Sequence, residues 1–240
     1  MKLDQQHLVV VGGSTGIGFA TARLALAEGA SGVTLIGRSA DKLATAKERL
    51  ADDRVSTGVA DVSDAAALSA AFAPLTSIDH VYVSAGTLSA GPIAVTEPAV
   101  YAQGVNERIW GNLNVVRVAV PKLKPSGSIT FTSGMLSQRP SAGTAITTML
   151  ASGVEGLVRA LPFEIAPIRV NAVVPGMVDT PLIRSLVGDN TDAALAAEGK
   201  RVPIGRAGTA EEVADAVLFL ITNKYINGES LYLHGGGRYA

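Results

Sequence analysis

A glycine-rich turn lies between the first strand-like segment and the first helix-like segment of the chain. The apolar run His7–Val11 leads directly into Gly12-Gly13-Ser14-Thr15-Gly16-Ile17-Gly18, and a helical pattern follows. Glycines allow a tight turn with close backbone approach to a ligand, and a helix N-terminus offers unpaired N–H groups with partial positive charge. This placement, more than the glycines alone, predicts a pyrophosphate-binding turn. Its predicted binding residues are Gly12, Ser14, Thr15, Gly16, Ile17 and Gly18.

Short apolar strands alternate with alanine-rich helical segments along the chain. Several strands are continuously apolar, as strands covered on both faces are. The alternation predicts right-handed crossovers and one parallel sheet of about seven strands with helices on both faces, a single Rossmann-type α/β domain over residues 1–240. Strands are predicted at His7–Val11, Val33–Ile36, Val55–Ala60, His80–Val83, Ser128–Thr132, Arg169–Val174 and Leu231–Leu233. Helices are predicted at Ile17–Glu28, Asp41–Leu50, Asp64–Phe72, Ala99–Val120, Thr144–Ile165 and Ala210–Thr222.

Local signals refine some of these boundaries. Ser39 and Ser63 stand where helix N-caps are expected, and Gly29 stands where the first helix ends. Residues 180–206 are the least regular part of the chain. We predict there a helical, lid-like insertion over a site.

Composition narrows the classes of function. The chain is 48% hydrophobic and 17% charged with a net charge of −1, so no basic surface for nucleic acid or an anionic membrane is predicted. No apolar run reaches the roughly 18–20 residues of a membrane span, and the N-terminus lacks a secretory signal pattern. There is no cysteine, and His7, His80 and His234 show no metal-ligand spacing. We expect a cytoplasmic protein that binds a small-molecule substrate and no metal.

The end of the second predicted strand carries a cofactor signal. Gly37-Arg38-Ser39 follows the strand, without an acidic residue at that point. An acidic side chain there pairs with the ribose 2′-hydroxyl of NAD, whereas an arginine suits a 2′-phosphate. Arg38 and Ser39 therefore favour NADP(H) over NAD(H). The alternative is a surface arginine at a helix start.

Further motifs occur in an order typical of one enzyme family. Asp61-Val62 follows the third strand, and Ser84-Ala85-Gly86 follows the fourth. The stretch from Asn171 to Pro181 and the segment from Pro203 to Gly236 continue the same order. With the glycines of the first turn, these motifs make nearly the whole chain resemble the short-chain dehydrogenase/reductase family.

The resemblance implies how a nicotinamide cofactor is bound. Asp61 and Val62 would contact the adenine, while the Val178 backbone and the Thr180 hydroxyl would bind the carboxamide. The resemblance also implies self-association as a homodimer or homotetramer through the helices Ala99–Val120 and Thr144–Ile165. The binding residues that it adds are Asp61, Val62, Ser84, Ala85, Gly86, Pro175, Gly176, Val178 and Thr180.

The family's usual catalytic groups have no counterpart in the expected window. There is no tyrosine between Tyr101 and Tyr225 and no lysine between Lys124 and Lys200. The family normally uses asparagine, serine, tyrosine and lysine, with the tyrosine transferring a proton and the lysine lowering its pKa and binding the ribose. By the resemblance, the corresponding positions are Arg108, Gly134, Thr147 and Ala151, and Ser133 precedes the serine position.

These residues leave several interpretations open. Our first is an NADP(H)-dependent oxidoreductase with an atypical site, transferring hydride to or from a small carbonyl, alcohol or quinone-like substrate, with Arg108, Ser133 and Thr147 as candidate catalytic residues. The second is a catalytically inactive NADP(H)-binding sensor or regulatory protein. A third is non-redox chemistry on an anion bound by Arg108. The simpler alternatives are Arg108 as a solvated arginine on a helix flank or at a subunit contact, and Ser133 as a strand-end hydroxyl.

Overall fold

The computed structural model describes residues 1–88 and 90–240. Within them the chain builds a seven-stranded parallel sheet of order β3-β2-β1-β4-β5-β6-β9, and β7 and β8 pair separately. The strands are β1 (His7–Val11), β2 (Gly32–Gly37), β3 (Val55–Val59), β4 (Ile78–Val83), β5 (Leu123–Thr132), β6 (Arg169–Pro175), β7 (Val178–Asp179), β8 (Gly208–Thr209) and β9 (Ser230–Leu233). This is the predicted doubly wound sheet.

Helices connect the strands on both faces of the sheet. α4 and α5 are joined through a π-helical turn at Asn106–Trp110. The helices are α1 (Gly16–Ala27), α2 (Ala40–Leu50), α3 (Ala65–Phe72), α4 (Pro98–Val105), α5 (Gly111–Ala119), α6 (Ala145–Glu164), α7 (Pro181–Val187), α8 (Thr191–Arg201) and α9 (Ala210–Thr222). None of the helices in the described ranges is long and apolar enough to cross a membrane.

The central strand shows why the sheet is buried on both faces. Side chains of a strand alternate between the two faces. Leu8 and Val10 of β1 belong to the core that α1, α2 and α9 cover, whereas Val9 and Val11 belong to the core that α3, α5 and α6 cover. All four are essentially inaccessible to solvent. Each face therefore has its own apolar core, which accounts for strands without polar alternation.

The strand order reverses between β1 and β4. From β1 the chain proceeds outward to β2 and β3, then returns to β4 on the other side of β1. In open parallel sheets, ligands bind in the crevice outside the carboxyl ends of the strands at such a switch point. The predicted glycine turn follows β1, so the fold places it at this crevice.

The structure confirms some local predictions and corrects others. Ser39 caps α2 by accepting from the Lys42 N–H, and Gly29 follows the end of α1 at φ +91°. Ser63 does not cap α3, because Asp64 accepts the Ala66 and Ala67 N–H groups instead. The single helix predicted at Ala99–Val120 is wrong, because the π-helical turn interrupts it.

Candidate functional site

A cavity of about 220 Å³ opens at the carboxyl ends of β1 and β4. It lies at the reversal of strand order, where the glycine turn, the end of β2 and the segment after β4 meet. The start of α7 closes one side through Thr180. The predicted cofactor-binding residues that line it are Gly12, Ser14, Thr15, Gly16, Ile17, Arg38, Val62, Ser84, Ala85, Gly86 and Thr180.

The glycine turn is packed so closely that two of its glycines cannot carry a side chain. Gly12 has φ +88°, and a Cβ there would lie 2.6 Å from the Ala85 nitrogen. A Cβ on Gly18 would overlap the carbonyl oxygen of Gly12. Ser84 donates its hydroxyl to the same carbonyl at 3.0 Å. The turn after β1 is therefore fastened to the segment after β4.

Two threonines, Thr15 and Thr87, are among the residues that line the cavity. Thr15, the N-cap residue of α1, makes no side-chain capping bond, so its side chain satisfies none of the helix's first N–H groups. Thr87 lines the cavity, and its hydroxyl is buried without a hydrogen-bond partner among the described residues. A nucleotide cofactor supplies both a pyrophosphate and polar groups, so these residues fit one.

Arg38 lies at the mouth of the cavity and is paired with two carboxylates. Its Nη1 is 2.8 Å from Glu107 Oε1 and 3.9 Å from Asp61 Oδ2. The Arg38 side chain is 55% exposed, whereas that of Glu107 is 5% exposed. Burial opposes ionisation of Asp61, but hydrogen bonds from Ser63 and the charge of Arg38 outweigh it and lower its pKa. Arg38, the residue predicted to bind a 2′-phosphate, is thus accessible to solvent but already paired with two carboxylates.

Glu107 and Arg108 both form hydrogen bonds with the backbone of Thr87, a residue of the cavity wall. Glu107 Oε2 accepts the Thr87 N–H at 2.7 Å, and Arg108 Nε donates to the Thr87 carbonyl at 2.8 Å. Arg108 Nη2 also lies 3.4 Å from the Gly86 carbonyl. Burial lowers the pKa of Arg108, while the charge of Glu107 raises it. Arg108 is therefore a buried residue of the site's framework, and the alternative of a solvated arginine is wrong.

Of the four positions implied for catalysis, Arg108 lies in the π-helical turn, Gly134 follows β5, and Thr147 and Ala151 lie in the first half of α6. A Cβ built on Gly134 meets nothing within 4 Å, so this position faces open space. Thr147 and Ala151 are both buried and lie four residues apart on one face of α6.

Ser133 is directed toward α6. Its hydroxyl lies 3.0 Å from the Ala151 carbonyl and 3.1 Å from Glu155 Oε1. The other oxygen of Glu155 accepts the Tyr232 hydroxyl at 2.7 Å. Burial, followed by the hydrogen bond to Glu155, raises the pKa of Tyr232 to about 12. This buried network joins β5, α6 and β9, and it gives Ser133 an anchoring contact.

The remaining predicted cofactor residues lie at the border of the cavity or outside its lining. Pro175 ends β6, and the Gly176 N–H donates to the Leu233 carbonyl at 2.8 Å. Val178 pairs with Gly208 in the small sheet. Gly176 and Val178 line a second cavity of about 210 Å³. Their carboxamide-binding role stays a prediction.

Sequence reasoning missed two residues that line the cavity with polar groups, Thr87 and Glu107. Thr87 directly follows the Ser84-Ala85-Gly86 motif after β4 but is not part of it. Glu107 is charged yet buried on an interrupted helix, and a carboxylate directly before Arg108 was the one available signal. The Glu107 side chain faces inward because of the π-helical turn, and no sequence pattern predicts that turn.

Comparisons with known proteins agree with this geometry. A family model described as enoyl-(acyl carrier protein) reductase matches residues 11–237. The short-chain dehydrogenase/reductase malC of Malbranchea aurantiaca is 31% identical, over 98% of this chain and 95% of its own length. The chain belongs to the short-chain dehydrogenase/reductase family. Members of this family bind nicotinamide cofactors, and the chain is an oxidoreductase of this type.

Other members of the short-chain dehydrogenase/reductase family match over similar lengths. A 3-oxoacyl-[acyl-carrier-protein] reductase, FabG of Chlamydia muridarum, is 32% identical, over 98% of both chains. The solved structure of MalC, named a reductase/Diels–Alderase, superposes with a TM-score of 0.92 at 29% identity, covering 100% of this chain and 98% of that one. A small-chain dehydrogenase in complex with NADPH superposes with a TM-score of 0.82 at 29% identity, covering 99% and 100%.

Proposed function

We propose that this protein is an NADP(H)-dependent oxidoreductase that works without the family's usual tyrosine and lysine. Its substrate is a small carbonyl compound, the corresponding alcohol, or a quinone-like molecule. The observation that carries the proposal is the cavity after β1 and β4, in which the glycine turn, Arg38 at the end of β2 and the segment after β4 lie together. A nicotinamide cofactor held by these residues would supply or accept the hydride.

The side chains at the positions implied for catalysis favour substrates that need little help with proton transfer. Thr147 is an aliphatic alcohol, and Ala151 provides no charge to lower its pKa. Arg108 stays protonated and is held by backbone carbonyls, so it cannot exchange protons in a catalytic cycle. General acid–base catalysis contributes about 10²–10⁴-fold, whereas positioning contributes roughly 7–11 kcal/mol. Quinones and activated dicarbonyls therefore suit this site better than simple ketones.

The proposed preference for NADP(H) rests on Arg38. A guanidinium has five N–H donors, and the bond from Nη1 to Glu107 leaves others for a 2′-phosphate. The side chain is half exposed at the cavity mouth, where a ligand can reach it. The similar dehydrogenase solved with NADPH supports the same cofactor class.

A second candidate function is binding of NADP(H) without turnover, as a sensor or regulatory protein. It is favoured by the same absence of tyrosine and lysine between Lys124 and Lys200. The name of MalC, a reductase/Diels–Alderase, adds that a protein of closely similar fold carries an activity besides reduction. A reaction that consumes no cofactor is therefore a further outcome to monitor.

Two measurements test the proposal. Fluorescence titration with NADPH and NADH measures binding, and single-turnover oxidation of bound NADPH is then followed with ketones, dicarbonyls and quinones. The control is Gly12→Asp, because a side chain at this position collides with the Ala85 backbone and removes the cofactor site. Binding with oxidation above this control supports an oxidoreductase. Binding without oxidation supports the sensor, and absence of binding contradicts both.

We also propose self-association through the surface formed by α4, the π-helical turn and α6. Val100, Trp110 and Met149 on these elements are large apolar side chains that are more than half exposed. Exposed apolar side chains of this size on neighbouring elements are typical of an interface. A homodimer or homotetramer is the proposed state.

A further inference from the structure

A buried carboxylate lines the cofactor cavity, and the proposed chemistry does not use it. Glu107 is 4% exposed as a residue and is directed at the cavity. Buried carboxylates require partners that offset the loss of hydration. Glu107 has three, namely the Thr87 N–H at 2.7 Å, Gln103 Nε2 at 2.8 Å and Arg38 Nη1 at 2.8 Å. Of these partners only Arg38 carries a charge.

The π-helical turn accounts for this position. It makes the consecutive residues Glu107 and Arg108 both buried, each bonded to a different backbone atom of Thr87. π-Helical turns are rare and occur frequently at functional sites. The Thr87 contact fixes the Glu107 carboxylate, so Arg38 meets it at a defined place beside the cavity.

The charges at this place do not suit a 2′-phosphate as well as an isolated arginine would. Arg38 contributes one positive charge, while Glu107 at 2.8 Å and Asp61 at 3.9 Å each contribute a negative one. A 2′-phosphate is itself strongly negative and must share Arg38 with both carboxylates. A 2′-hydroxyl carries no charge, so the two carboxylates do not compete with it for the charge of Arg38. Of the two carboxylates, Glu107 interacts more strongly with Arg38, because its side chain is almost completely shielded from water.

We propose that Glu107 is a selectivity-determining residue of the cofactor site, which restrains Arg38 and thereby limits the preference for NADPH over NADH. This inference rests on the proposed cofactor-binding function. Glu107 acts through Arg38 and is a positioning residue. The protein is then able to use both cofactors, with NADPH only moderately preferred.

The test is the ratio of dissociation constants for NADPH and NADH, measured by fluorescence titration of the full chain. Glu107→Gln keeps an oxygen for the Thr87 N–H and removes the charge. NADPH binding is expected to tighten roughly tenfold, while NADH binding changes by less than about twofold. Glu107→Asp, which keeps the charge, should leave the ratio close to that of the original protein. Gln103→Met is the matched control, because it removes an uncharged partner of the same oxygen and should not change the ratio.

A double-mutant cycle shows whether Glu107 acts through Arg38. In an Arg38→Gln background, Glu107→Gln should no longer improve NADPH binding. An equal improvement in both backgrounds, or an unchanged ratio in the single variant, overturns the inference. If Glu107→Gln does not fold, the exposed neighbour Gln103 provides a second variant, Gln103→Glu. This added charge should weaken NADPH binding relative to NADH binding, and an unchanged ratio overturns the inference. Failure of the original protein to bind either cofactor contradicts the proposed function instead.

Discussion

Arg108 donates a hydrogen bond of 2.8 Å from Nε to the carbonyl oxygen of Thr87, across 21 residues of sequence. Together with the bond from the Thr87 N–H to Glu107, this contact fixes the loop after β4 against the π-helical turn. The loop carries Gly86 and Thr87, which line the cavity. Arg108 therefore supports the cavity wall from within the protein.

Replacement of Arg108 should weaken cofactor binding by loosening this wall. Arg108→Met keeps most of the apolar stem but leaves the Thr87 carbonyl without its donor, and an unpaired buried polar group costs about 1–3 kcal/mol. We expect a lower free energy of unfolding, measured with urea, and weaker binding of NADPH and NADH by the same factor. A change in NADPH binding alone would indicate direct contact with the 2′-phosphate.

Glycine is required at Gly18 and not at Gly134. Gly18→Ala places a methyl group against the Gly12 carbonyl and the Ser84 hydroxyl, so the turn must shift. We expect a loss of about 1–3 kcal/mol in the free energy of unfolding and at least tenfold weaker NADPH binding. Gly134→Ala is the control, because its methyl group meets open space. Equal effects of the two variants would contradict the described packing.

The hydroxyl of Thr147 should matter little for a substrate that needs no proton donor. Thr147→Val is expected to slow single-turnover quinone reduction by less than about tenfold, well below the range of full acid catalysis. A loss above a hundredfold would instead identify Thr147 as the proton donor.

Installing the family's usual pair should act in the opposite direction on ketones. The double variant Thr147→Tyr and Ala151→Lys is expected to accelerate ketone reduction by about 10²–10⁴-fold. Both positions are buried, so larger side chains also cost about 1–3 kcal/mol of stability. Thermal unfolding therefore accompanies the rate measurement. A folded double variant without faster ketone reduction would show that the substrate site does not place ketones beside Thr147.

The buried histidine of β4 should make folding sensitive to mild acid. Burial lowers the pKa of His80 to about 4, and the neutral ring hydrogen-bonds Ser128 and Gln6. In the unfolded chain the pKa returns to 6.5, so the unfolded state binds the proton first. Stability is complete above about pH 6.5 and falls by up to about 3 kcal/mol as the pH drops toward 4.

Urea unfolding at several pH values tests this expectation. His80→Gln should reduce the dependence between pH 6.5 and 4, and the part that remains is expected from His7, whose pKa is also lowered by burial. Asp52 and Glu212, whose pKa values are lowered to about 2 by hydrogen bonds chiefly from Arg54 and Arg206 respectively, contribute only at lower pH. An unchanged slope in His80→Gln would assign the acid sensitivity to other groups.

The surface around Trp110 provides the prediction for self-association. Trp110→Asp introduces a charge among apolar side chains, so we expect dissociation to smaller species in size-exclusion chromatography with light scattering. Tyr225→Ser is the control, since Tyr225 is almost fully exposed in the segment between α9 and β9. Dissociation of the control alone would assign the interface to that surface.

The sequence by itself determined the fold and the position of the glycine turn at the end of β1. Both depend on local patterns, namely the strand–helix alternation and the turn from Gly12 to Gly18, and these patterns act through backbone conformation and hydrophobic burial within short segments. Even so, Ser63 was a wrong N-cap prediction, because its neighbour Asp64 competes for the same N–H groups.

Only the tertiary structure decided the charge balance and the directions of the buried polar side chains. Arg38 and Glu107 are 69 residues apart, and their ion pair exists because the π-helical turn directs Glu107 at the end of β2. Ser133 donates a hydrogen bond to Glu155, which also accepts one from Tyr232 of β9. Such contacts depend on how distant elements pack, so no spacing in the chain predicts them. These long-range contacts determine which of the residues singled out in the sequence lie together in one cavity.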